Sequence, residues 1–224
     1  MKALINFLLV VVLLFSQTGQ KVVPVGEEPR HHVVFQNKYV RVIDAAIPPG
    51  DTTLFHTHSV NNVPVVISGG NLRTEILGGK ITESSVETGG AWFTPATYTH
   101  SIKNIGNTPV RFIDAEVLSS PPAVASTATE TGKVPGRTLV LENEQVRIYS
   151  IKLARGETTG FFTHTRPVLQ VEVTGGRISI NQRGASKKEM EVKPGEFHWT
   201  ETTEPRSITS IGDSPYDAVE IVWK

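Results

Sequence analysis

At 224 residues, with 38% hydrophobic and 20% charged side chains, the chain can bury a core as one large domain or two small ones. Its 22 Lys+Arg balance 22 Asp+Glu, so the basic surplus of a generic nucleic-acid binder is missing and no nucleic-acid partner is expected. Cysteine is absent, which excludes disulfides, thiolate metal sites and Cys nucleophiles and leaves the 7 histidines as the most informative residues.

The N-terminus reads as an address. Lys2 precedes an apolar run from Ala3 to Phe15, broken only by Asn6, and a small polar tail from Ser16 to Gln20 follows. That order predicts a signal peptide over residues 1–20, cleaved within the tail. The run is shorter than the roughly 20 apolar residues that span a bilayer. The mature chain is expected to be exported, periplasmic or extracellular, and free of the membrane once the signal is removed.

The rest is one unit written twice. A shift of 106 residues lays the chain on itself without a gap, and 24 of the 88 pairs from 31/137 to 118/224 are identical. Asn37 meets Asn143, Gly50 meets Gly156, Thr57-His58 meets Thr163-His164, and Gly89 meets Gly195. Shared glycines fall where turns are expected, so the backbone plan itself is duplicated. Residues 31–118 form the first copy and 137–224 the second. Between them 119–136, rich in Ser, Pro, Ala and Thr, reads as a linker.

In chain order, the first copy opens on His31-His32, read as a surface pair. Tyr39–Ile47 is a strand, and so is Thr52–His58, whose alternation puts Thr52, Leu54, His56 and His58 on one face. Val63–Ser68 follows, bounded by Gly69-Gly70; Arg73 and Glu75 beyond it are expected to be exposed. Trp92, Phe93 and Tyr98 lead to His100. Val110–Leu118 is the last strand of the copy, with Asp114 and Glu116 also expected on its exposed side. No 3.6-residue pattern of helix length occurs in the mature chain. Short strands closed by turns predict an all-β fold, a small barrel or jelly roll in each copy.

His56 and His58 are two apart on a strand, so both imidazoles point the same way. A divalent metal gives two neighbouring neutral imidazoles a common partner, and a third inward histidine, His100, completes a facial set of three. The spacing resembles the cupin superfamily. Gly50, five residues, His56-Thr57-His58 and then Gly69 is similar to the first cupin motif, G-x5-H-x-H-x3,4-E-x6-G. Gly89, five residues, Pro95, His100 and Asn104 is similar to the second, G-x5-P-x-G-x2-H-x3-N. The resemblance covers both halves and implies a bicupin: two tandem double-stranded β-helix (jelly-roll) barrels, which often pair into a homodimer through barrel edges. It implies that His56, His58 and His100 are metal ligands. The family's glutamate position falls on Asn62, a neutral oxygen donor to the metal or to its water, and Thr97 replaces a glycine. Without that carboxylate the site should favour Cu, Fe, Zn or Ni over Mn.

The second copy reads Phe162, His164, Val168 and Arg206 at the same positions, so no metal is expected there. Phe162 and Val168 should fill the lumen. Arg206 either pairs with Glu172 or Glu204, or joins His164 in an anion pocket; His198 is a further basic group of undetermined facing.

Cupin resemblance implies many chemistries, from dioxygenases and oxalate-handling enzymes to lyases, isomerases and binding proteins. The favoured expectation is a metal-dependent enzyme for a small molecule, an oxygenase similar to the quercetin dioxygenases, with Tyr98 as acid or as hydrogen-bond donor to the substrate. A metal-dependent lyase, isomerase or hydrolase is the second expectation. A non-catalytic metal- or ligand-binding module is the third.

Overall fold

Runs of Val, Ile and aromatic residues cut by glycine and proline turns become strands throughout the chain. The computed structural model describes residues 21–122, 133–201 and 204–224; the expected signal segment 1–20 and residues 123–132 of the expected linker lie outside them. The first copy holds β1 (Val22–Pro24), β2 (His31–Gln36), β3 (Val40–Ile47), β4 (Phe55–His58), β5 (Asn62–Ser68), β6 (Gly70–Ile76), β7 (Ile81–Val86), β8 (Tyr98–Asn104) and β9 (Val110–Val117). The second holds β10 (Arg137–Glu142), β11 (Val146–Leu153), β12 (Val168–Glu172), β13 (Gly176–Gln182), β14 (Lys188–Val192), β15 (Phe197–Thr200), β16 (Arg206–Ser210) and β17 (Tyr216–Trp223). Among the described residues the one helical element is a 3-10 turn, Val25–Glu27.

Each copy is a two-sheet jelly roll. In the first, β2-β3-β9-β5 lies opposite β1-β4-β8-β6-β7, and residues of both sheets line one cavity. In the second, β10-β11-β17-β12-β15 is accompanied by β14-β13-β16. Gly50 (φ 76°) and Gly89 (φ 82°) take the left-handed backbone at the turns, and their counterparts Gly156 (φ 81°) and Gly195 (φ 84°) do the same. A side chain at any of the four would strain the turn, which is why these pairs persist in both copies.

The expected Thr52–His58 strand is shorter than its pattern suggests. Thr52 makes an isolated bridge to Lys103, and the Leu54 N–H donates to the Glu28 carboxylate at 3.1 Å instead of joining a ladder. Regular pairing begins at Phe55, where β1 runs parallel to β4.

One apolar seam joins the barrels. Val40, Val42, Val63, Val65, Ile67, Ile113, Ala115 and Val117 of the first copy pack in one cluster with Val146, Ile148, Leu169, Val171, Val173, Val219, Ile221 and Trp223. The two sets match one for one under the 106-residue shift, so the same face of each copy meets its duplicate. Each such aliphatic side chain contributes roughly 1.5–3 kcal/mol when fully buried. At the rim, Asn61 Nδ2 donates to Gln145 Oε1 at 2.6 Å, and Arg111 donates to the Pro194 carbonyl at 3.0 Å. The sheet carrying β9 is therefore covered on both faces, by the seam on one side and by the lumen on the other.

Candidate metal centre

Antiparallel pairing of β4 with β8 sets His56 opposite His100 and His58 opposite Tyr98. Strand alternation keeps His56 and His58 on the lumen face. The ring centroids lie 4.5 Å (His56–His100), 5.2 Å (His56–His58) and 5.3 Å (His58–His100) apart. One ring nitrogen from each lies within 4.8 Å of the others. His56 Nδ1 donates to the Leu54 carbonyl at 2.9 Å, which leaves its Nε2 as a lone-pair donor. His56 Nε2 and His100 Nε2 are buried without a hydrogen-bond partner, as is His58 Nδ1. An unsatisfied buried polar atom costs about 1–3 kcal/mol, so three in one place require an explanation.

Burial pushes all three imidazoles down, His56 to about 4, His58 to about 3 and His100 to about 2, and the neighbouring histidines add to the effect. Near neutral pH they are uncharged, the form that binds a metal. Three converging neutral imidazoles, with Nε2 of His56 and of His100 unpartnered, fit a divalent transition metal.

Asn62 sits beside them with both ends engaged. Its Nδ2 donates to the two Asp114 oxygens, each at 2.8 Å, and its Oδ1 accepts from Tyr98 Oη at 3.1 Å. The Tyr98 ring stacks on His58, with centroids 4.7 Å apart and planes 9° apart. Burial, helped by the nearby Asp114 charge, raises the Tyr98 phenol well above its ordinary range, so it keeps its proton.

Asp114 and Glu116 were expected on an exposed side, and the structure places both inside. The alternation rule assumes that one sheet face meets water, and β9 has no such face. Asp114 Oδ2 lies 3.7 Å from His58 Nδ1, and Glu116 Oε1 lies 3.9 Å from it. Burial pushes Asp114 up to about 7, with the Asn62 hydrogen bond opposing and the Glu116 charge adding. Arg41 pairs with Glu116. A carboxylate is thus present next to the histidines, but on β9 and not at position 62.

His31 also departs from expectation. It is buried, with Nδ1 2.6 Å from Glu28 Oε2 and its ring 4.4 Å from that of His56. Glu28 also accepts from the backbone of Arg30 at 2.7 Å and of Leu54 at 3.1 Å. Burial would raise that carboxyl, but these partners hold it down to about 2. The pairing of His31 with lumen-facing Ala45 is what turns it inward; His32 is exposed, as expected.

His58 and His100, with His31, line a cavity of about 420 Å³ whose walls include Leu72, Ile76, Val86, Trp92 and Phe112, with Thr74, Ser84 and Thr94 among its polar points. No Lys or Arg lines it among the described residues. Arg73 and Glu75 alternate away from the lining set. Phe93 packs on the inter-barrel seam instead of the cavity.

Phe162 fills part of the second lumen, and a cavity of about 560 Å³ remains, lined in part by Gln170, Ile180, Met190, His198 and Arg206. Phe162 and Val168 are buried, and Phe162 packs with Ile151, Ile178, Ile208 and Tyr216. Arg206 meets Glu220 at 2.9 Å, a partner missed in sequence; His164 Nε2 reaches the same oxygen at 3.2 Å and Arg137 the other at 2.7 Å. Burial would raise Glu220, but His164, Arg206 and Arg137 hold it far below the usual carboxylate range. The anion beside Arg206 and His164 is therefore the chain's own. Glu172 instead accepts from Tyr216 Oη at 2.6 Å and from Gln170 at 2.9 Å. His198 is partly exposed, its Nε2 3.9 Å from Glu172.

No curated protein matches the chain by sequence. Several solved structures share the two-barrel fold at low identity. AerE from Microcystis aeruginosa is 14% identical with a TM-score of 0.60, over 85% of this chain and 90% of that one. An oxalate decarboxylase from Bacillus subtilis is 13% identical with a TM-score of 0.58, over 83% and 69%. A variant salicylate 1,2-dioxygenase from Pseudoaminobacter salicylatoxidans, in complex with gentisate, is 12% identical with a TM-score of 0.58, over 84% and 71%. The cupin domain family matches residues 44–116, the span from β3 to β9 that carries all three histidines. Residues 44–116 thus carry a cupin domain, and the chain folds as two tandem barrels of which the first holds a three-histidine cluster.

Proposed function

We propose that this is an exported, metal-dependent enzyme for a small, largely apolar molecule, and within that class an oxygenase. The observation that carries the reading is the convergence of three buried imidazoles, two of which, His58 and His100, line an apolar-walled cavity. A divalent metal held there supplies a Lewis acid for a substrate oxygen and, if it is copper or iron, a redox centre.

The chain's own residues do the rest. Leu72, Ile76, Val86 and Phe112 keep water from the bound molecule and strengthen every polar contact inside. Tyr98 retains its proton and presents its hydroxyl beside His58, where it can donate to a substrate oxygen in place of Asn62. Because the walls carry no Lys or Arg, an anionic group on the substrate finds no side-chain cation there. This favours a neutral or singly ionised enol or phenol over a small dicarboxylate. Likeness to a dioxygenase and to a decarboxylase is compatible with this reading through the fold alone.

Metal analysis of protein recovered from its native compartment, followed by oxygen uptake with flavonol and catechol substrates, tests it. Copper or iron at one per chain together with oxygen consumption is the expected result. Turnover without oxygen would move the chain to the lyase, isomerase or hydrolase class. Stoichiometric metal without turnover across a broad panel would make it a binding module.

A further inference from the structure

The outer partners of the histidines divide into two kinds. His56 is held by a backbone carbonyl, whereas His58 turns its Nδ1 toward two side-chain acids, Asp114 and Glu116. Glu116 is engaged by Arg41. Asp114 has no arginine or lysine partner among its hydrogen bonds and ion pairs; both of its oxygens accept from Asn62, and Oδ2 also lies 3.7 Å from His58 Nδ1, a charge contact longer than a hydrogen bond. With Nδ1 facing the acid, Nε2 of His58 is the nitrogen left for a metal.

The duplication offers an independent comparison. Position 114 of the first copy is position 220 of the second, and an acid occupies both. Of the three ligand histidines only His58 has a counterpart, His164, and that histidine also lies beside the acid of its own barrel, Glu220, although through Nε2, at 3.2 Å. The histidine and acid are retained together even where Phe162 and Arg206 have replaced the other two imidazoles.

We propose that Asp114 is a positioning residue of the metal centre: it fixes the ring of His58 through Nδ1 and, through Asn62, the hydroxyl of Tyr98, so that the carboxylate missing at position 62 acts from one layer further out. A ligating histidine that donates its second nitrogen to a carboxylate is held in one tautomer and one orientation, and loss of such an outer partner typically lowers metal affinity about 10- to 100-fold. This rests on the metal-binding reading above.

The test is Zn²⁺ affinity of the full chain, measured by competition titration, for wild type, Asp114→Asn and the exchange Asn62→Asp/Asp114→Asn. The exchange preserves an amide–carboxylate pair but moves the carboxylate to position 62. Asp114→Asn should bind about 10- to 100-fold more weakly with an unchanged circular dichroism spectrum. Its His58 ¹⁵N shifts should report a loss of the Nδ1-protonated tautomer. The exchange should recover wild-type affinity to within about threefold, and tests the proposal even if the single variant does not fold. Asp114→Asn binding within about twofold of a zinc-binding wild type, or a folded exchange variant that remains weak, would overturn this proposal alone. A wild type that takes up no metal would overturn the metal reading and this proposal with it.

Discussion

Phe162 stands where His56 stands in the other barrel, and that exchange puts an apolar ring packed on Ile151, Ile178, Ile208 and Tyr216 in place of a buried imidazole. Around Phe162 the side chains close into an apolar cluster, whereas the ring of His56 faces those of His58 and His100. Position 56 therefore carries a buried nitrogen without a partner, Nε2, that position 162 does not.

Replacing His56 by Phe should make the first barrel resemble the second. Metal affinity should fall at least about 100-fold. The metal-free protein should become more stable by about 1–3 kcal/mol, because one orphaned buried group is gone. Metal titration and urea unfolding check the two halves separately, and weaker metal binding with lower stability would contradict the expectation.

The metal-free protein should weaken in mild acid. His56, His58 and His100 sit at about 4, 3 and 2, below the ordinary imidazole value of about 6.5. Below about pH 6.5 the unfolded chain therefore binds more protons than the folded one, so their contribution is complete above that pH and is lost as pH falls toward 4 and below. Asp114, raised to about 7, and the buried Glu116 and Glu172, also raised, work in the opposite sense, while Glu28 and Glu220, held low by their partners, act with the three histidines. Urea midpoints of metal-free protein at about pH 7 and about pH 4.5 should fall in that order; a higher midpoint in acid would mean that the imidazoles are not held neutral.

Glu220→Gln should cost about 3–5 kcal/mol, since it leaves Arg206, Arg137 and His164 buried without their shared carboxylate. Adding Arg206→Met should restore part of that loss, because it removes one of the abandoned charges. A strictly additive double variant in urea unfolding would mean that the two side chains are not coupled.

Trp223→Ala in the seam should cost about 3–5 kcal/mol, and it should destabilise both barrels together. Calorimetry should show one transition before and after the change. Two separated transitions would mean that the barrels melt as independent units.

Much of this was legible in the sequence for a physical reason. The gapless shift aligned Gly50 with Gly156 and Gly89 with Gly195 because the same left-handed turns recur. The spacing of His56 and His58 fixed their common face because strand alternation is rigid. Asp114 and Glu116 escaped the same logic because their strand lies between two buried faces, which local sequence does not reveal. His31 escaped because its position depends on β2 folding back beside β3. Glu220 was missed as the partner of Arg206 because the contact is made across the barrel, between β16 and β17.

The matched seam has a further consequence. In a pair of separate chains, a greasy flank of this kind would be covered only at concentrations high enough for the subunits to find each other. Here the partner flank is tethered to the same polypeptide, so its local concentration is set by the connecting segment and not by how dilute the surroundings are. The half with Phe162 and Arg206 thus serves as a permanently attached mate for the half with the three histidines.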